Sequence, residues 1–408
     1  MSTTVANFAA PDIQYRSAAV VKNSRITSID LLRGIVMIIM ALDHTRDYFH
    51  ADAFLFDPTD LSKTNVLLFL TRWITHFCAP VFVMLSGLSA YLSAQKKNRT
   101  TAGNFYIKRG LWLILVEVTV VTFGLTFNPN FNFIILQVIW AIGCSMVLLG
   151  LLMRFSYRAI FIVGLVLLFG HNLTDYMPVN AQTAAGVTLT ALLTSRGAVV
   201  PLGNNHFIGV FYAVLPWTGI MFLGFSMGRW YATGYVAALR KGNLLISGAL
   251  LTLMYVVLRF ARGYGDPVIW ENGEHAIYSF LNTSKYPPSL QYSGMTLGPA
   301  LLLLAAWDNL RSGWSRFVSV YGRVPFFYYI LHFYLLHTLL VFVFFGAGFT
   351  SEQIIVPESI FAFRPPDFGY SLAVVYLVWL AVVLALYLPC RCFYKYKLSH
   401  TQWWLKYV

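Results

Sequence analysis

The sequence predicts an all-α fold, a polytopic membrane bundle of about ten transmembrane helices. Three observations carry that prediction. The chain of 408 residues is 58% hydrophobic and only 11% charged, whereas soluble domains carry about 25% charged residues. Apolar runs of helix length recur from one end to the other, each able to cross a hydrocarbon core of ~30 Å. Finally, lysine and arginine alternate in density between successive connections, as they do when loops fall on opposite faces of a membrane.

Taken in order, residues 1–25 form a polar cytoplasmic tail with neither the apolar core nor the small-residue cleavage site of a signal peptide. The first span, 27–48, is therefore expected to stay as an uncleaved anchor. The next spans are 66–93, 110–127, 133–153, 159–176, 208–231, 243–262, 287–307, 325–346 and 370–390. Residues 26–392 make one membrane domain, and 393–408 a basic cytoplasmic tail. Arg72 and His76 lie one turn apart in the second span, and Glu117 lies in the third, where a neighbour such as Arg33 is its expected partner. His171 to Asp175 closes the fifth span, with Asp175 as a polar partner for His171. Trp217 lies in the sixth and Arg259 near the end of the seventh. Lys285-Tyr286-Pro287-Pro288-Ser289 opens the eighth, and its prolines start that helix.

On this reading the side holding the N-terminus carries 20 of the 29 basic residues and the opposite side 8, with Arg33 inside the first span. Eleven of the sixteen acidic residues lie on the opposite side. The positive-inside rule then places both termini in the cytoplasm, and the net charge of +13 marks topology rather than a nucleic-acid partner. The long connections 47–65, 177–207, 263–286 and 347–369 fall outside, where loops on a helical scaffold carry specificity. No internal repeat is visible, which weighs against a secondary transporter. Cys78, Cys144, Cys390 and Cys392 make no disulfide framework.

The first span holds the chemistry. Arg33 and His44 are eleven residues apart, which returns to nearly the same helix face roughly 16 Å further along. Asp30 shares the face of Arg33. Ionisable groups inside a membrane cost about 2.5–3.5 kcal/mol each on insertion scales and mark functional sites. Near the outer ends of the spans, Asp43, His44, Arg46 and Asp47 join Arg72, His76, His171, Lys285, His332 and His337. Imidazoles beside carboxylates suit a general base oriented by an acid. The bland alternative is a set of satisfied interhelical pairs, such as His76 with Arg72. His332 and His337 are out of phase, so at most one faces a shared pocket. No metal site is expected, since no His-x-x-x-His, His-Glu-x-x-His or cysteine-rich pattern occurs. A Gly-x-Ser-x-Gly nucleophile elbow is missing as well.

The Arg33-x10-His44 spacing resembles the motif of the acyltransferase-three family. More of the chain is similar to bacterial relatives of the heparan-α-glucosaminide N-acetyltransferase catalytic domain. The stretches that carry this are Ser28 to Gly34, Asp43 to Phe49, Cys78 to Gly87, Leu136 to Gly143, Leu215-Pro216-Trp217, Lys285 to Ser289, and Tyr321 to Pro325 with His332. The resemblance implies a multi-pass enzyme of the bacterial inner membrane. Such an enzyme moves an acyl group, acetyl above all, from cytoplasmic acyl-CoA to a hydroxyl or amine of a sugar or glycan acceptor outside.

In that scheme His44, or His50 six residues on, is the histidine that acts on the acceptor, with Asp43 or Asp47 balancing it. Arg33, Lys108, Arg109 and Arg323 attract the CoA phosphates. Arg72, His76, His171, Trp217, Lys285 and His332 bind the acceptor. The partners are the bilayer and the acceptor, and a homodimer stays open. The rival class is a non-catalytic transporter or flippase of a small polar or lipid-linked solute.

Overall fold

The computed structural model describes residues 26–176, 183–189, 192, 198–308, 310–357 and 359–407. The tail 1–25, with its basic residues, and Arg196 in the 177–207 connection lie outside the described residues. The remainder is mostly helical. Among the described residues, six segments are long and apolar enough to cross a membrane. The first is Val66–Ala94, made of α2 (Val66–Thr75) and α3 (Cys78–Ala94). The second is Arg99–Thr126, made of α4 (Arg99–Val116), a π-turn (Glu117–Val121) and α5 (Thr122–Thr126). Tyr157–Tyr176 combines α7 (Tyr157–Gly170) with a 3₁₀ turn (His171–Tyr176). The last three are α10 (Ala237–Ala261), α14 (Pro325–Gly346) and α15 (Leu372–Ser399). Where four more spans were expected stand α1 (Thr27–Phe49), with charges at both ends, and the shorter helices α6 (Val138–Met153), α9 (Val214–Met227) and α12 (Leu290–Ala306).

Several expected boundaries are corrected. Residues 133–136 form strand β1 (Phe133–Leu136), so the fourth span begins only at Val138. The start of the expected 208–231 span belongs to β3 (His206–Val210), which pairs in parallel with β1 and antiparallel with β2 (Ala198–Gly203). A run rich in Phe, Ile and Val serves strand as well as helix, and the period cannot separate them over four residues. The third expected span begins eleven residues early, at Arg99, because Asn98 caps α4 through the Thr101 N–H at 2.8 Å. The last helix runs on to Ser399, so Arg391, just past the expected span, and Lys395 and Lys397 of the expected tail are helical. Short helices α8 (Ala184–Leu189) and α11 (Ala276–Leu281) and an amphipathic helix α13 (Gly313–Arg323) occupy connections.

α1 is packed by α2, α3, α12, α13, α14 and α15, which wrap its whole length. Close backbone approach makes this possible. A Cβ on Gly34 would run into the Val318 carbonyl, and one on Gly322 into the Asp30 carbonyl. In a bilayer, small residues at helix crossings substitute for the hydrophobic drive that lipid removes. The same device joins α4 to α6, where Gly110 faces Gly143 and Gly103 faces Gly150. Proline breaks the second expected span. Pro80 cannot donate to the His76 carbonyl four residues back, and the Tyr292 hydroxyl donates to that carbonyl instead, at 2.7 Å. Sequence alone marked the span and not this break.

Candidate functional site

Two cavities flank the ends of α1. The first, of about 420 Å³, is lined by Asp43, His44, Asp47, His50, Arg72 and Lys285, among others. The second, of about 260 Å³, is lined by Arg33, Ser89, Ser93, Tyr106, Arg109 and Phe326, among others. Their linings share no residue, but Gln137 lines the first and Ile139 the second. The start of α6 and the residue before it thus contribute to both cavities.

At the first cavity, Nδ1 of His44 lies 2.6 Å from Nε2 of His332, within hydrogen-bond range, with the ring centroids 4.9 Å apart. Nδ1 of His332 in turn lies 3.2 Å from the Tyr328 carbonyl oxygen. A carbonyl only accepts, so His332 carries its proton on Nδ1. With both rings neutral, His332 Nε2 then accepts from His44 Nδ1. That leaves a lone pair on His44 Nε2. Phe333 stacks on the His44 ring at 4.4 Å between centroids and limits its rotation. His332 is fully buried, five residues from His337. His337 faces away, its ring nitrogens 3.1 and 2.9 Å from the carbonyls of Leu125 and Ala362. The two rings thus point to different surroundings, as the helix phase predicts; neither lines the cavity, and His332 meets it only through His44.

The carboxylates do not orient the His44 ring by hydrogen bonds. Asp43 accepts from Arg72 at 2.5 Å and lies 3.1 Å from Arg46, and Asp47 accepts from Arg46 at 2.6 Å. This Asp43–Arg72–Arg46–Asp47 chain is a charge network along α1 and α2, and the expected acid-base partner of His44 is replaced by a second histidine. His50, the alternative to His44, caps α1. Its Nδ1 accepts from the Asp52 N–H at 3.3 Å, and its carbonyl accepts from Arg364 at 2.8 Å. Burial holds its imidazole below the usual value, which favours the neutral acceptor form.

Lys285 reaches the cavity through a bridged turn with Pro288, its ammonium 5.1 Å from the Tyr286 ring centre. His171 supports this turn rather than lining the cavity. Its Nε2 lies 2.7 Å from the Pro288 carbonyl, and Asn172 accepts from the Leu290 N–H at 2.9 Å. For the open reading that pairs His171 with Asp175, the hydrogen bonds show His171 on the carbonyls of Leu167, Leu168 and Pro288, while Asn172 donates to Asp175 at 2.7 Å. His76 and Trp217 are buried behind the wall. His76 sits edge-on to Tyr292, and Trp217 lies under Tyr212, which itself lines the cavity. Sequence reasoning missed Tyr212, Phe211 and Phe361. As aromatic residues beside spans they carried no signal separating them from the interfacial belt.

At the other end, Arg33 donates to Ser89 Oγ at 2.7 Å and to the Gly322 carbonyl at 3.2 Å, with Asp30 at 3.8 Å. Glu117 is not its partner. The π-turn carries Glu117 to the start of α6, where it accepts from the Gln137 N–H at 2.6 Å, a carboxylate at a helix N-terminus. Arg109 lines the cavity with Arg33, whereas Lys108 is exposed on α4. Arg323 lies in a separate cleft beside Arg311 and Arg316, 3.6 Å from Asp30 and over the Tyr394 ring. Two of the four expected CoA-side cations therefore share this cavity. No group of three or more histidine, cysteine or acidic side chains that could hold a metal ion occurs among the described residues.

No curated protein matches the chain. The family described as heparan-alpha-glucosaminide N-acetyltransferase, catalytic, matches residues 25–256, more than half of the sequence, including α1, both cavity walls on α2 to α4, and the start of α6. With its run of apolar helices, the chain belongs to the heparan-alpha-glucosaminide N-acetyltransferase catalytic-domain family of acyltransferase-type membrane enzymes.

Proposed function

We propose that this chain is a multi-pass acyltransferase of the bacterial inner membrane. It crosses the membrane about ten times with both termini in the cytoplasm, and moves acetyl from acetyl-CoA to an amine or hydroxyl of a cell-envelope sugar acceptor outside. The observation that carries this reading is His44 at the cavity wall, hydrogen-bonded to the buried His332, within a chain of an acetyltransferase family. His44 Nε2 removes the proton from the acceptor as its nitrogen or oxygen attacks the thioester carbonyl. The carbon–sulfur bond breaks, and the thiolate takes the proton back from His44. The products are acylated acceptor and CoA thiol. His332 holds the His44 tautomer and shares the positive charge that develops. Imidazole suits this work at neutral pH, and such general-base catalysis contributes typically 10²–10⁴-fold.

The acceptor occupies the cavity of Asp47, Lys285 and Tyr286, and the donor comes from the Arg33 cavity. The acyl group passes to the acceptor near the start of α6, where Gln137 lines one cavity and Ile139 the other, so neither substrate crosses the bilayer whole. Arg33 and Arg109 provide the cationic mouth that an anionic donor needs. The test is transfer of labelled acetyl from acetyl-CoA to a panel of aminosugars and surface glycans in proteoliposomes, comparing unaltered protein with His44→Ala. Equal transfer in both removes His44 from the mechanism. Movement of an unmodified solute without acyl-CoA would replace the enzyme reading with a transporter.

A further inference from the structure

The C-terminal segment folds back from the end of α15 to reach α4. After α15 ends at Ser399, a 3₁₀ turn (Trp403–Lys406) and Tyr407 lie against α4. Tyr407 packs edge-on or tilted against Phe105 and Trp112, at 5.9 and 6.5 Å between centroids, and Trp404 stacks on Phe393 at 6.3 Å. Phe393 in turn stacks on Phe327 at the start of α14, at 4.1 Å. The segment thus straps α14 and α15 to α4. Those are the elements that bring Phe326 and Arg109 to the cavity of Arg33.

The strap also fixes charge. The Lys406 carbonyl accepts from Arg109 Nη1 at 3.2 Å, while the Nε of Arg109 is buried without a partner. Lys97 lies over the Phe105 ring at 3.9 Å. Partial burial, with Lys406 and Arg109 nearby, holds its ammonium below the usual lysine value. Among the described residues no carboxylate forms an ion pair with any of the three. Like charges gathered at the mouth of a cavity repel one another, and an anion relieves that repulsion.

We propose that Lys97, Arg109 and Lys406, held together by the C-terminal strap, bind the phosphate groups of the nucleotide part of acyl-CoA at the mouth of the Arg33 cavity. This rests on the acyl-CoA reading above and deepens it. Arg109 lines the cavity with an unpartnered N–H, and the two lysines, exposed and long, close on the phosphates from outside. A lipid headgroup offers the same phosphate chemistry. The position beside a cavity lined by Arg33, Ser89 and Ser93, rather than on an apolar lipid-facing wall, favours the soluble donor.

The test uses the full-length protein in phosphatidylcholine nanodiscs. Affinity for CoA is measured by calorimetry, and turnover is compared between acetyl-CoA and S-acetylpantetheine, which carries no phosphate. Both lysines are exposed, so Lys97→Glu and Lys406→Glu are expected to fold. Each should weaken CoA about tenfold, as close charge pairs at binding sites do, and leave kcat/KM for S-acetylpantetheine unchanged. Trp404→Ala, which removes the stacking on Phe393 and loosens the strap, should shift the same way. CoA affinities equal to the unaltered protein, or equal losses with both donors, overturn the proposal. Charge-reversal variants that keep CoA affinity but lose bound phosphatidylglycerol assign the cluster to a lipid headgroup and also overturn it. If the unaltered protein binds no CoA, the donor reading falls too. If charge reversal weakens CoA binding by a protein that transfers nothing, the phosphate site stands and the transferase reading falls.

Discussion

His332 lies 2.6 Å from His44 and is anchored by its other nitrogen to the Tyr328 carbonyl at 3.2 Å, so one histidine dictates the tautomer of the other. If the pair works as a unit, its members are not additive. His44→Ala is expected to lower acetyl transfer roughly 100- to 10,000-fold. His332→Ala should cost less, about tenfold to a hundredfold, because the base remains but its orientation is lost. The double variant should be no slower than His44→Ala. Initial rates in proteoliposomes check this, and a double variant slower by the product of the single losses would separate the two residues.

The Asp43–Arg72 pair should be a stability element. Both side chains are nearly buried at 12% exposure, and removing one partner of such a pair strands the other charge. Asp43→Asn is therefore expected to cost about 3 kcal/mol. Asp47, with 28% of its side chain exposed, is more solvated, and Asp47→Asn should cost under about 1 kcal/mol. Thermal unfolding in detergent distinguishes the two, and equal losses would contradict the assignment.

His50 gives a pH dependence outside the spans. Burial lowers its folded-state value, so the unfolded chain binds the proton more readily. The stabilisation is complete above about pH 6.5, the unfolded value. It is lost as pH falls from there through the depressed folded value. The midpoint of thermal unfolding should drop more between pH 7 and pH 5 for the unaltered protein than for His50→Asn. Parallel curves would show that the imidazole stays indifferent to folding.

Glycine positions offer a paired test of the packing. A Cβ on Gly143 would sit 2.8 Å from the Gly110 carbonyl oxygen, whereas one on Gly242, early in α10, meets nothing within 4 Å. Gly143→Leu should destabilise by about 1–3 kcal/mol or more through overpacking, and Gly242→Ala should stabilise by up to about 1 kcal/mol through helix propensity. Unfolding midpoints read both, and a neutral Gly143→Leu would contradict the close crossing of α4 and α6.

Much of the site was legible in local pattern. The Arg33-x10-His44 spacing placed a cation and a base at opposite ends of one helix, and each end does line a cavity. The phase difference between His332 and His337 correctly split their surroundings. What could not be read was partnership. Glu117 was expected to meet Arg33, but a π-turn swings it to the start of α6, and helix period assumes a regular ladder. Lys108 and Arg109 are adjacent in sequence and diverge by about 100° around the helix, so only Arg109 reaches the cavity. His171 was expected among the acceptor-binding groups and instead braces the turn that presents Lys285, a role set by residues more than a hundred positions apart.

Sequence by itself determined that the chain is a membrane helix bundle, because hydrophobic runs and charge density are local properties that the bilayer reads directly. It also determined that α1 carries polar chemistry at both ends. Only the tertiary structure decided that His44 is paired with a histidine and not a carboxylate, and that the C-terminal turn reaches Arg109. Both contacts join segments about three hundred residues apart, and which side chains meet across a bundle depends on crossing geometry that no single helix encodes.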